Sequence, residues 1–366
     1  MKKNIIPIFL FLFLLFRSSY SQTYVQVMQA RALGKIGVEM IDRGKYDSAI
    51  VKFDEAMQYD SVSVEYPYEK AFAYYNKNDF SKAKTMLDSL LHINKINDKI
   101  YALLGNCYEA ENNMDKAFEI YEQGVEKIKY SGRLYMEMGI LKHDIKQTNN
   151  AVGYWEKGVE VAPDFANNYY YLASTYSQNS YNIWSLLDGE IFILLSENQK
   201  RINETSKIMY DVFNRSLFNK DEKGNESIRF TFIDIKTDIP RPTKDLPFEL
   251  ACQTVYREIA PAIIGKDKNK ISIEKIYKIN EAFTKKWFDE GLDVYFSNLL
   301  FRWHKKLIDN NYFEAYNYLI FKEGNPQEYK EWYDKHQKAF DDFMNWLLDN
   351  PVMIDKEHRL LRSNLK

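Results

Sequence analysis

Alanine recurs every 34 residues, at Ala49, Ala83, Ala117 and Ala151, and each copy sits in the same frame of small and large neighbours. The first unit reads Leu33, Ile36, Gly37, Met40, then Gly44, Tyr46, Ala49, Phe53 and Ala56. The third reads Tyr101, Leu104, Gly105, Tyr108, then Met114, Ala117, Tyr121 and Gly124. The fourth carries Tyr135, Met138, Gly139, Ala151, Trp155, Gly158 and Pro163. A fifth starts on register with Tyr169, Leu172, Ala173 and Tyr176, then departs with Ser185 where the frame expects alanine. A unit this short cannot bury an apolar face alone, so consecutive copies must stack and share a core.

The frame has a physical reading. Gly37, Ala71, Gly105 and Gly139 in the first half of each unit, with the alanine series in the second, mark where two helix backbones approach. Asp47, Ser81, Asp115 and Asn149 are again 34 apart. They are types that satisfy or complement the free N–H groups of a helix start. The pattern resembles the tetratricopeptide repeat family, W-x2-L-G-x2-Y…A-x3-F…P at period 34. The resemblance covers residues 28–197, about five repeats. Pro67 and Lys70 in the second unit and Lys142 in the fourth depart from it. It implies helix pairs stacked into a curved array, a concave face made by the first helices, protein or peptide ligands, and no cofactor. The stretches from Trp184 to Glu190 and from Phe313 to Tyr318 also resemble exported tetratricopeptide proteins of Bacteroidota, which implies no known activity.

The expected fold class is mostly all-α. Residues 198–218 read as a helix capping the array, and 219–247 as a strand and loop connection. Its one strand candidate is Ile228 to Ile235, with Ile228, Phe230 and Phe232 on one face. Residues 248–366 read as a helical region, with helices near 248–260, 272–288, 293–309, 311–321 and 326–348.

Residues 1–21 have the order of a secretory signal: Lys2 and Lys3, an apolar run from Ile5 to Phe16, then Ser19-Tyr20-Ser21. Such a run spans roughly 18 Å as helix, short of a hydrocarbon core of roughly 30 Å. Cleavage is expected near Ser21-Gln22, with the protein exported to periplasm or exterior and no membrane-spanning segment in the mature chain. The formal charge of −2 becomes more negative once Lys2, Lys3 and Arg17 are removed. That balance provides no overall basic field for nucleic acid. The two cysteines, Cys107 and Cys252, lack metal-ligand spacing and read as buried free thiols, with pairing as the competing reading.

Phosphate loops, nucleophile elbows and zinc-helix motifs are absent from the sequence, and no two histidines are three to five residues apart. His304, flanked by aromatics, is the most suggestive candidate base; a structural histidine is the plainer reading. No catalytic residue, metal ligand or cofactor is assigned.

Projecting the frame onto the concave face gives the groove candidates Tyr68, Phe72, Tyr75, Asn106, Arg133, Met136, Ile140 and Tyr170. A groove that is apolar and aromatic in its middle suits a helix or a hydrophobic peptide segment. Two occupants compete for it: a partner, or the chain's own second half. The leading expectation is a non-catalytic exported scaffold. The alternatives are a carbohydrate- or envelope-binding module using exposed Trp303, Trp332 or Trp346, and an enzyme with an unrecognised site in the second half.

Overall fold

The computed structural model describes residues 6–92, 97–220, 224, 226–232, 243–267, 269–357 and 360–362, with the backbone alone for residues 6–23. The sequence expectation for residues 1–5 and the side-chain pattern around the cleavage site therefore lie outside what is described. Among the described residues no helix is long and apolar enough to cross a membrane. The chain divides into two compact units, residues 1–129 and 130–366.

The first unit is three helix pairs: α1 (Ile6–Asp42) with α2 (Tyr46–Tyr59), α3 (Glu65–Asn76) with α4 (Phe80–His92), and α5 (Asp98–Ala110) with α6 (Met114–Lys127). The second opens with two more pairs, α7 (Gly132–Asp144) with α8 (Thr148–Val161) and α9 (Ala166–Gln178) with α10 (Asn182–Leu195). Each pair is closed by the same turn. One residue takes a left-handed φ near 60–70°: Gly44, Asn78, Asn112, Lys146 and Ser180, again 34 apart. The N–H after or next to it reaches back to the first helix, as in Lys45 N to Met40 O, 2.8 Å, and Asn113 N to Tyr108 O, 2.9 Å. Only the first of these five is glycine; the two asparagines tolerate the left-handed region better than Lys146 and Ser180 do.

Size complementarity holds each pair. Ala49, Ala83, Ala117 and Ala151 have no exposed surface. A methyl group on Gly37 would lie 2.6 Å from the Phe53 ring, and Gly105 and Gly139 admit Tyr121 and Trp155 in the same way. Ser185 departs from alanine at no steric cost, because its hydroxyl donates to Ala173 O on the facing helix at 2.8 Å. Asn113 caps α6 by accepting from Lys116 N at 3.2 Å. Asp115 stands inside that helix's first turn.

The rest of the second unit is α11 (Gln199–Leu217), a two-residue antiparallel pair β1 (Asn219–Lys220) and β2 (Glu226–Ser227), and then α12 (Phe248–Ile264), α13 (Ile273–Asp289), α14 (Leu292–Tyr295), α15 (Leu299–Asp309), α16 (Phe313–Phe321) and α17 (Pro326–Asp349). The strand expected from Ile228 is corrected: the pairing falls one step earlier, inside the polar stretch 219–227. Over 228–232 the backbone is bound to side chains and helix ends instead of a ladder. Gln253 Oε1 accepts from Phe230 N and Thr231 N, and Arg257 Nε donates to Ile228 O. Phe230 is fully buried while Phe232 is 45% exposed, so the two do not share a buried face. Residues 233–235 of that expectation lie outside the described residues. The helix expected over 293–309 is two, because Asn298 caps α15 by accepting from Leu300 N and Phe301 N.

The α15–α16 hairpin repeats the turn of the five pairs. Asn311 has φ 61°, and Tyr312 N donates to Leu307 O at 2.9 Å. In that register His304 falls where the repeats carry Gly or Ala in the first helix, and Tyr316 where they carry the recurring alanine. Two large polar side chains thus stand at the positions of close approach.

Candidate functional site

Within the first unit, Tyr68, Phe72 and Tyr75 lie on α3 and are all half-buried. The Phe72 and Tyr75 rings are nearly parallel, 6.4 Å between centroids at 11°. Tyr75 also leans on Phe80, at 5.6 Å, so the row is braced from the second helix of its own pair. Asn106 is half-buried and already engaged: its Oδ1 accepts from the hydroxyl of the core Tyr121 at 2.5 Å. Ala102, one turn before Asn106 on α5, is 4% exposed, in line with α5 packing beside α3.

In the second unit the candidates differ. Met136 is a correction: it is 7% exposed, in line with α9 lying against α7, and presents no open surface. Ile140 packs against the unit's main core. The Arg133 guanidinium lies 5.6 Å from the Phe165 ring centre. Tyr170 is roofed by α11: its hydroxyl donates to Glu204 at 3.1 Å, and the Arg201 guanidinium sits 4.7 Å above its ring. Burial and the Glu204 carboxylate push the Tyr170 phenol above its ordinary range. Arg201 also reaches Asn167 Oδ1, so α11 closes the first-helix face of the fifth repeat.

The other place where polar chemistry converges lies deep in the second unit. Glu190 of α10, 7% exposed, points at α15 and α16. Its Oε1 lies 2.5 Å from His304 Nε2 and also accepts from the Tyr316 hydroxyl. Burial, then the Glu190 carboxylate, push the Tyr316 phenol well above its ordinary range. With Phe213, Phe283 and Phe301 these groups line a cavity of about 40 Å³. That is room for about three waters. His304 thus has the Glu190 carboxylate as a partner. Sequence reasoning missed Glu190 and Tyr316. The signal was available: mapping the 34-residue frame onto residues 297–321 sets His304 and Tyr316 opposite each other.

The three tryptophans named for the aromatic alternative are not exposed. Trp303 and Trp332 are 6% and 8% exposed. Trp346 is half-buried and stacks on Trp303 at 5.4 Å, and Trp332 stacks on Tyr318 at 4.3 Å. Cys107 and Cys252 are free and buried, and burial pushes the Cys107 thiol up to about 12. Among the described residues no group of acidic, His and Cys side chains could hold a metal ion.

Residues 98–126, the α5–α6 pair, match the family model described as tetratricopeptide repeat. The chain carries tetratricopeptide repeats. It is similar to BBSome complex member BBS4 of Bos taurus, 29% identical over 118 residues, which is 30% of this chain and 22% of that protein. The Mus musculus counterpart is 31% identical over 98 residues, 27% of this chain and 19% of that one. The chain thus spans about a fifth of the length of the curated relatives it matches. Solved tetratricopeptide structures overlap it loosely. A thermophilic TPR protein of Thermus thermophilus gives a TM-score of 0.41 at 14% identity, covering 49% of this chain and 98% of that one. PilF of Pseudomonas aeruginosa gives 0.39 at 13% identity, covering 51% and 84%.

Proposed function

We propose that this tetratricopeptide chain is an exported, non-catalytic scaffold that holds a helical or hydrophobic segment of a partner protein on the first-helix row of its first unit. The observation that carries the reading is the aromatic row on α3. Tyr68, Phe72 and Tyr75 are each only half-buried, and the near-parallel Phe72 and Tyr75 rings are preset in orientation. Rigid aromatic surface of this kind gains binding energy at little entropic cost, and a helix laid across it would use apolar side chains at one-turn spacing. In the fifth repeat the corresponding face is taken by α11, so the first unit is where an external segment has surface to meet. Export rests on the Lys2-Lys3, apolar run and Ser19-Tyr20-Ser21 order.

Phe72→Ala tests it. Truncating a binding aromatic costs about 2 kcal/mol or more of affinity. Loss of partner recovery with a thermal melt close to wild type supports the reading. A variant that melts far lower assigns the row to the core instead, and one normal in both respects removes its role.

A further inference from the structure

Arg362 sits on the repeats like a bound ligand. Its Nε donates to Glu156 Oε1 of α8 at 3.0 Å. Its guanidinium carbon is 5.0 Å from the Tyr181 ring centre and 5.5 Å from that of Tyr176. A carboxylate with two aromatic faces is a recognition set for a guanidinium. The set is held by the repeats without Arg362. The Tyr176 hydroxyl donates to Glu156 Oε1 at 2.6 Å, fixing the carboxylate. The Tyr176 and Tyr181 rings are 5.4 Å apart, and Tyr181 is braced edge-on by Phe232 at 4.7 Å. Behind them lies Asp188, 4% exposed, whose carboxyl is pushed well up by burial and by Glu156 while Arg362 pulls it down.

Arg362 does not fill the space it enters. It forms one wall of an open cleft of about 500 Å³, within the size range of ligand sites. Among the described lining residues Arg362 is the one charged side chain; Thr148, Asn149 and Thr175 supply hydroxyl and amide groups that suit a peptide backbone. The arm that delivers Arg362 has no α-helix after Asp349 among the described residues, and Leu360 and Leu361, both buried, tie it down.

We infer that Glu156, Tyr176 and Tyr181 form a binding site for an arginine side chain of a partner peptide, which the chain's own C-terminal arm occupies with Arg362 until a partner displaces it. This surface is separate from the α3 row and does not rest on that reading. Tethering gives Arg362 an effective concentration in the millimolar range, so a free ligand competes poorly with it.

The test uses the full chain, wild type and Arg362→Ala, titrated calorimetrically with N-acetyl-arginine amide and with its neutral isostere N-acetyl-citrulline amide. Arg362→Ala should bind the arginine compound at least about tenfold more tightly than wild type does, because the tethered competitor is gone. Citrulline should bind more weakly than arginine by a similar factor, and adding Glu156→Gln should abolish the preference. Equal binding by wild type and Arg362→Ala, or no preference for arginine over citrulline, overturns the proposal. If Arg362→Ala does not fold, Arg362→Gln keeps the stem that packs on the tyrosines, and the same ordering is required of it.

Discussion

Replacing Gly139 with alanine adds one methyl group where α7 crosses α8, and the sign of its effect can be worked out beforehand. In a solvent-facing helix, Gly→Ala stabilises by roughly 0.5–1 kcal/mol through backbone entropy. At Gly139 the new methyl would fall inside contact distance of the Trp155 indole. That ring has no easy retreat. It is 1% exposed, its N–H donates to Met136 O at 3.1 Å, and it stacks on Tyr171 at 5.2 Å. Overpacking a fixed neighbour costs about 1–3 kcal/mol. With the entropic gain subtracted, Gly139→Ala should lose up to about 2.5 kcal/mol. Gly153, on α8 of the same unit, is the control, since a methyl there meets nothing within 4 Å. Gly153→Ala should gain up to about 1 kcal/mol. The assay is urea unfolding followed by far-ultraviolet circular dichroism, which avoids reading the perturbed tryptophan itself. At a slope of about 1–3 kcal/mol per molar the two midpoints should separate visibly, in opposite directions from wild type. Equal midpoints for the two variants would refute the close-approach account of the repeat.

Three further outcomes are expected. Glu190→Ala should destabilise the second unit by about 3–5 kcal/mol in the same assay, because it strands His304 and Tyr316 in the interior, and Glu190→Gln should cost less. Asp188 has its carboxyl raised by burial, so the unfolded chain releases that proton first; its contribution to stability is present at low pH and falls as pH rises through and beyond the ordinary carboxyl range. Asp188→Asn should therefore flatten the stability–pH curve above that range, and an unchanged curve would count against the assignment. Mass spectrometry of protein from its native cells should give a mature N-terminus at or within a residue or two of Gln22; an intact Met1 would sink the export proposal.

How far the sequence led depends on what kind of contact is involved. The repeat pairs were legible because one small residue against one large residue, Gly139 against Trp155 for example, is fixed by spacing along the chain. For the groove candidates the frame gave positions along the helices and not their covering. The frame located Tyr68 and Phe72 on one helix face, but gave no sign that the equivalent Met136 is covered by a neighbouring first helix. The strand at Ile228 failed for a different reason. Alternating apolar residues describe an extended backbone, yet the partner that satisfies it is Gln253, a side chain on a helix that no local pattern announces. The Glu190–His304–Tyr316 cluster joins residues more than a hundred positions apart. Only the recurrence of the turn at Asn311 would have pointed to it.

The central claim is that a partner lies on the α3 row, and site-specific photocrosslinking tests it most directly. A benzophenone side chain is introduced at position 72 of the full-length protein in its native cells, and at position 51 as control. Val51 lies on the second helix α2 of the same unit and is 52% exposed. The account predicts a discrete protein adduct from position 72 that is absent from position 51 and lost when Tyr75→Ala is added. No adduct at position 72, or the same adduct from both positions, would contradict it.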